Sequence, residues 1–176
     1  MRKSISLTAA LCLVAAVAVA QHGEAKKPLS PAAKAEATIG GKNLTINYSA
    51  PSKRNRVIMG ELVPYGKVWR TGANAATTLK TDADLMIGTL HVPAGTYSLF
   101  TIPGEKEWTL IVNKQTGQWG TNYDEAQDLG RVKMTVKPAR SVVETFTIGV
   151  KPGDAKNGTL TMAWENVEAS VPVVVH

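Results

Sequence analysis

From Gly40 to the end of the chain, short runs with an apolar residue at every second position are cut by Gly, Pro, Asn or Asp. This pattern limits the fold more than any other feature of the sequence, because a period of two is that of a half-buried strand. Leu44, Ile46 and Tyr48 share one face of the first run, and Thr45, Asn47 and Ser49 share the other. Gly40-Gly41 supplies a turn ahead of it. Residues 57–59, 77–81, 85–92 and 95–102 follow, rich in β-branched or aromatic side chains. Pro93-Ala94-Gly95 marks a tight turn, and Pro103-Gly104 joins residues 97–100 to residues 108–112 as an antiparallel hairpin. Val132, Met134 and Val136 alternate with Lys133, Thr135 and Lys137; residues 143–150, 159–164 and 171–175 complete the series. Asn157-Gly158 is the strongest hairpin signal in the chain, and Pro172 predicts an edge position for the last strand. One short helix is expected over residues 122–129, with Gly130 to end it. About nine to ten short strands at this spacing predict an all-β fold, an antiparallel β-sandwich of jelly-roll-like or Ig-like type or a small barrel. Strands do not alternate with long helices, which argues against a parallel α/β sheet.

The first 20 residues read as a cleaved signal peptide: Arg2 and Lys3, an apolar run over residues 5–19, and a small-x-small site at Ala18-Val19-Ala20. The run is shorter than the ~20 residues a membrane span needs, so no integral membrane segment is expected in the mature chain. A spanning β-barrel is disfavoured too, since the runs are short and the chain has only ten aromatic residues, 4 Trp, 4 Tyr and 2 Phe. Cys12, the only cysteine, lies inside the apolar run behind Leu11, where the small residue of a lipoprotein signal is missing. Cleavage leaves a thiol-free chain of 156 residues, without disulfides, a Cys nucleophile or thiolate metal sites. Residues 21–37, rich in Ala, Lys, Pro and Glu, are expected to form a flexible tether, and residues 38–176 a single domain. The mature chain carries 18 Lys and Arg against 14 Asp and Glu, scattered rather than clustered. That is a solvated surface and not a nucleic-acid footprint.

One stretch, residues 62–78 (LVPYGKVWRTGANAATT), concentrates aromatic, cationic and amide groups. PYGKVWRTGANAAT, PAGTYSLFTIP (residues 93–103), the Trp108 strand with Asn113, Gln118-Trp119-Gly120 and Ala163-Trp164-Glu165 together resemble the bacterial family known as domain of unknown function 2911. The resemblance runs from about Ile39 to Val175 and rests on long motifs in a fixed order. It implies an exported, single-domain bacterial protein and carries no settled activity. Ala75 departs from it, since family members often carry Glu at that place in the GAN-x-AT motif.

For catalysis the sequence offers little. The three histidines are His22 in the tether, His91, and His176 at the end, and no G-x-S-x-G elbow is present. His91 is thus the one weak catalytic candidate, as part of an envelope hydrolase or isomerase with Asp82, Asp84 or Glu165 as its acid; a hydrogen-bonded structural histidine is the competing reading. No metal or cofactor motif is found, and Asp82 and Asp84 read as turn acids in water. The binding candidates are Tyr65, Trp69, Arg70, Asn74 and Trp119. Arg70 offers a fork for an anion and the aromatics a stacking face; equally, Trp69 suits a core, Arg70 a loop clamp, and Asn74 a left-handed turn. Lys53, Arg54 and Arg56 could line the same mouth if their loop folds over it, or else form a solvated loop. Trp108 and Trp164 read as core, and Trp119 as the aromatic presented to a partner. The expected function is that of a non-catalytic envelope module for a small molecule or glycan, periplasmic or extracellular. An assembly partner of other envelope proteins is the remaining alternative. Oligomeric state is not encoded in any of these features.

Overall fold

The computed structural model describes residues 28–176; the expected signal peptide and residues 21–27 of the expected tether lie outside them. Nine strands form one antiparallel sheet: β1 (Ala32–Ile39), β2 (Lys42–Ser49), β3 (Thr77–Thr81), β4 (Leu85–Ile87), β5 (Leu90–Val92), β6 (Gly95–Ile102), β7 (Glu107–Asn113), β8 (Asp128–Pro152) and β9 (Asn157–Val175). Their order across the sheet is β1-β2-β3-β6-β7-β8-β9-β4-β5. The two edges, β1 and β5, both approach β8, so a single curled sheet supplies the walls around the core. The period-two reading holds in the burial of Leu44 and Ile46, and the hairpin through Pro103-Gly104 forms with Phe100 opposite Ile111.

Five expectations are corrected. Residues 32–37 of the predicted tether are strand: β1 pairs with β2 over eight residues and buries Ala35 and Ile39. Its inward side chains are mostly alanines, too small to signal a strand in the sequence. The predicted helix over residues 122–129 is one 3-10 turn, Glu125–Gln127, because Asp124 caps it by accepting from Ala126 N–H at 3.0 Å and Asp128 already starts β8. Residues 57–59 form a loop with a single bridge, Met59 to Val63. Residues 132–136 and 143–150 belong to one strand, as do residues 159–164 and 171–175. β8 and β9 stay paired over most of their length, and two register shifts, between Pro138 and Val143 and between Val143 and Thr147, absorb the breaks read in the sequence. Finally, β9 is interior. Pro172 sits where β9 leaves β8, last paired at Ser170, and joins β4 at Val173, so its missing N–H falls at the change of partner.

β6 and β7 are buried on both faces. Leu99 and Leu110 enter the main core with Trp108, Phe146, Met162 and Trp164, whereas Phe100 and Ile111 form a smaller core with Ala76, against which Ile102 and Tyr123 pack. Ala76 and Tyr123 therefore lie over the outer face of β6 and β7, whereas Trp69, bridged through its backbone to Thr101 of β6, packs against the main core; the candidate site is built around this segment.

Candidate functional site

Ahead of Thr77 and Thr78, which pair with β6 as the start of β3, residues 62–76 are fastened to the β6 side at Trp69 and Gly66. Trp69 N–H donates to Thr101 O at 2.7 Å and Thr101 N–H to Trp69 O at 2.9 Å; Gly66 N–H donates to Pro103 O at 2.8 Å. The next turn is held from inside by hydroxyls: Thr71, fully buried with φ 53°, donates to Thr101 Oγ1 at 3.1 Å, and Thr77 donates to Thr71 O at 2.7 Å. Gly72 has φ 147°, and a Cβ there would stand 2.8 Å from Ser49 O, so the chain can pass only as glycine. Asn74 takes the left-handed turn expected of it, φ 61°. Its amide donates to Ser30 O and Ser49 Oγ, and its carbonyl accepts from Gly120 N–H at 2.9 Å.

These bonds aim Trp69 inward and Arg70 along the surface. The Trp69 ring lies nearly parallel to Trp164, with centroids 5.8 Å apart and planes at 17°, and edge-on to Phe146 and Trp108 at 4.9 and 6.2 Å. The stem of Arg70 lies against Gly120, where a Cβ would come within 2.5 Å of Arg70 Cδ. Arg70 Nε is buried, and among the described residues it has no hydrogen-bond partner.

The 51–57 loop does fold over this region. Arg56 clamps it by donating to Lys53 O at 2.9 Å and Ser52 O at 2.6 Å. Arg54 N–H donates to Glu144 Oε1 at 2.9 Å, and its guanidinium donates to Leu29 O. Glu165, buried on β9 with φ 54°, fastens the loop's far end: Oε2 accepts from the N–H groups of Ile58 and Met59, each at 3.2 Å, and Oε1 stands 3.4 Å from Lys53 Nζ.

The result is a cavity of about 250 Å³. Arg54, Arg56 and Arg70 give it three guanidinium groups, Trp69, Trp164 and Leu62 give it an apolar wall, and no carboxylate lines it. A second cavity, of about 480 Å³, lies on the other side of the Trp69-Arg70 pair; it shares Leu62 with the first and adds Lys67, Thr121 and Tyr123. The Tyr123 hydroxyl donates to Asp128 Oδ2 at 2.7 Å and accepts from Arg131 at 2.9 Å. Burial first, and then the Asp128 carboxylate, push its pKa up to about 12, so it is a neutral hydroxyl at any ordinary pH.

Of the five predicted binding residues, the structure brings Trp69 and Arg70 into both cavities. Tyr65 instead packs its ring against Gly60, Asn74 braces the turn, and Trp119, 53% exposed and bridged to Ala75, lines neither cavity. Arg54 and Arg56 join the site, as their loop permitted. Trp164, read as core in the sequence, also lines the first cavity, while Thr121 and Tyr123 of the second had no signal in the sequence beyond their residue type. His91 sits on the edge strand β5, with Nε2 3.3 Å from Asp84 Oδ2, and both side chains are exposed. Asp84 is also tied to the backbone, accepting from Ala94 N–H at 2.9 Å. Neither cavity includes His91, and Glu165 is occupied by the loop. Among the described residues no three His, Cys, Asp or Glu side chains gather as a metal site, and no helix is long and apolar enough to cross a membrane.

No curated protein and no solved structure matches the chain. Residues 30–173 match the model of the family described as protein of unknown function, DUF2911, and the chain belongs to that family.

Proposed function

We propose that the protein is a binding module for a small organic anion, held in the cavity between the 51–57 loop and the Trp69-Arg70 pair. One observation carries this reading: among the described residues Arg70 Nε is buried beside the cavity without a partner, while Arg54 and Arg56 add two more positive charges and no acid lines the cavity. A buried donor left unsatisfied costs about 1–3 kcal/mol. A ligand carboxylate or phosphate would remove that penalty through charge-assisted bonds, and the apolar wall would hold its body. Binding at this site needs no general base. The module works outside the cytoplasm, a reading supported by the charged, apolar and small-x-small sequence of residues 1–20.

The test is thermal melting of the chain from Gln21 to His176 against organic acids, acidic sugars and nucleotides. A ligand at a hundred times its dissociation constant adds about 2.7 kcal/mol, which raises the melting midpoint by several degrees. The shift should persist in Trp119→Ala and vanish in Arg70→Met. A folded protein that no anion stabilises refutes the proposal.

A further inference from the structure

The geometry points to a ligand longer than one ring: an acidic oligosaccharide that spans both cavities, with its carboxylate among Arg54, Arg56 and Arg70 and its next ring beyond Trp69. This inference rests on the anion-binding reading of the first cavity and extends it. At about 250 Å³ that cavity falls below the ~300 Å³ at which ligand pockets usually begin, whereas its neighbour, at about 480 Å³, lies within the usual range. The two are adjacent: Leu62, Trp69 and Arg70 line both, so a ligand that crosses this shared wall reaches from one into the other.

The chemistry changes along the path. The first cavity has three guanidinium groups, which suit a carboxylate through paired N–H donors. The second shares the Arg70 guanidinium and adds one ammonium, Lys67, with Thr121 and Tyr123 among apolar side chains. Hydroxyl-bearing side chains beside apolar ones suit a hydroxylated ring, which offers polar rim atoms and apolar C–H faces together. The Tyr123 hydroxyl already donates to Asp128 and accepts from Arg131, so it can accept one further bond from a sugar hydroxyl and cannot donate one. Leu62, Val68 and Pro64 keep the second cavity from being a simple anion trap. Lys67, at its exposed rim, is placed to meet the acid of a further ring.

Titration calorimetry with galacturonic acid, its dimer and its trimer tests the idea on the mature chain. The dimer should bind at least about tenfold more tightly than the monomer. Thr121→Trp, which fills the second cavity, should bring the dimer down to the monomer's affinity, and Lys67→Ala, an exposed change that spares the fold, should weaken the trimer severalfold. Equal affinities for monomer and dimer would overturn the spanning ligand while leaving the anion site intact. Binding of non-sugar acids alone would overturn the sugar class. If neither sugars nor other anions bind, the proposed function falls as well.

Discussion

Glu165 accepts the backbone N–H of Ile58, 107 residues away in sequence, at 3.2 Å and thereby pins the end of the loop that carries Arg54 and Arg56. The contact is made from a left-handed backbone, φ 54°, at a register shift where Glu165 faces Val143. A residue with a side chain is held there against its preference, and the carboxylate explains why. Its hydrogen bonds are charge-assisted, and losing them exposes two unsatisfied N–H groups and the half-buried Lys53 ammonium.

Glu165→Ala should therefore lower stability by about 3 kcal/mol, as expected when charged hydrogen bonds are lost from a buried position. Glu165→Gly loses the same bonds but suits the left-handed backbone, so it should be less harmful by about 1 kcal/mol. Urea denaturation of the three proteins checks the order. If glycine proved as damaging as alanine, backbone strain at this position would be excluded.

Arg70 predicts the opposite sign. Its Nε is buried and unpartnered, so replacing the guanidinium by an apolar side chain of similar length removes a penalty of about 1–3 kcal/mol. Arg70→Met should leave stability unchanged or raise it by about 1 kcal/mol while abolishing anion binding. Groups kept for function often lower stability in this way. A loss above about 2 kcal/mol would instead make Arg70 a structural clamp.

Gly120 supports Arg70 by being small. An added Cβ would meet Asn74 O at 2.8 Å and Arg70 Cβ at 2.9 Å as well as Arg70 Cδ, and a backbone carbonyl gives way less readily than a side chain. Gly120→Ala should cost about 1–3 kcal/mol, the usual range for overpacking, and weaken anion binding because Arg70 is displaced. Calorimetric titration beside a melting curve separates the two effects. Arg70→Ala combined with Gly120→Ala should show a smaller stability loss than the sum of the two single changes, since the contact with Arg70 Cδ is then gone.

The strands were legible because their information is local: Leu44 and Ile46 alternate with polar neighbours, and Pro103-Gly104 marks its own hairpin. β1 was not, because alanines fill its inward face and only its pairing with β2 makes it a strand. Nor was the interior place of β9, since Pro172 reads as an edge residue unless β4 is known to take over from β8. At the site, Trp69 and Arg70 stood out by type and adjacency. Arg54 and Arg56 were ambiguous because the same three cations describe a solvated loop, and only Glu144 and Glu165, about 90 to 110 residues onward, bring that loop to Arg70. Trp119 is the converse case: its exposure follows from its loop and was legible, whereas its distance from both cavities depends on the backbone bridge to Ala75.

Tyr123 gives the protein an alkaline limit. Folding raises its pKa from the ordinary 10.0 to about 12, through burial and the hydrogen bond to Asp128. Between those values the unfolded chain has released the proton and the folded chain still holds it, so the native state binds more protons and stability falls as pH rises. The contribution is complete below about pH 10 and is lost as pH approaches about 12. Tyr97 adds to the same trend, its pKa raised by burial and then by Asp84. Tyr123→Phe should flatten the dependence without removing it, and should loosen the Asp128-Arg131 pair that its hydroxyl bridges. Denaturation midpoints of wild type and variant at ~pH 9 and ~pH 11.5 decide the matter: an equal fall in both would show that the Tyr123 proton is not linked to folding.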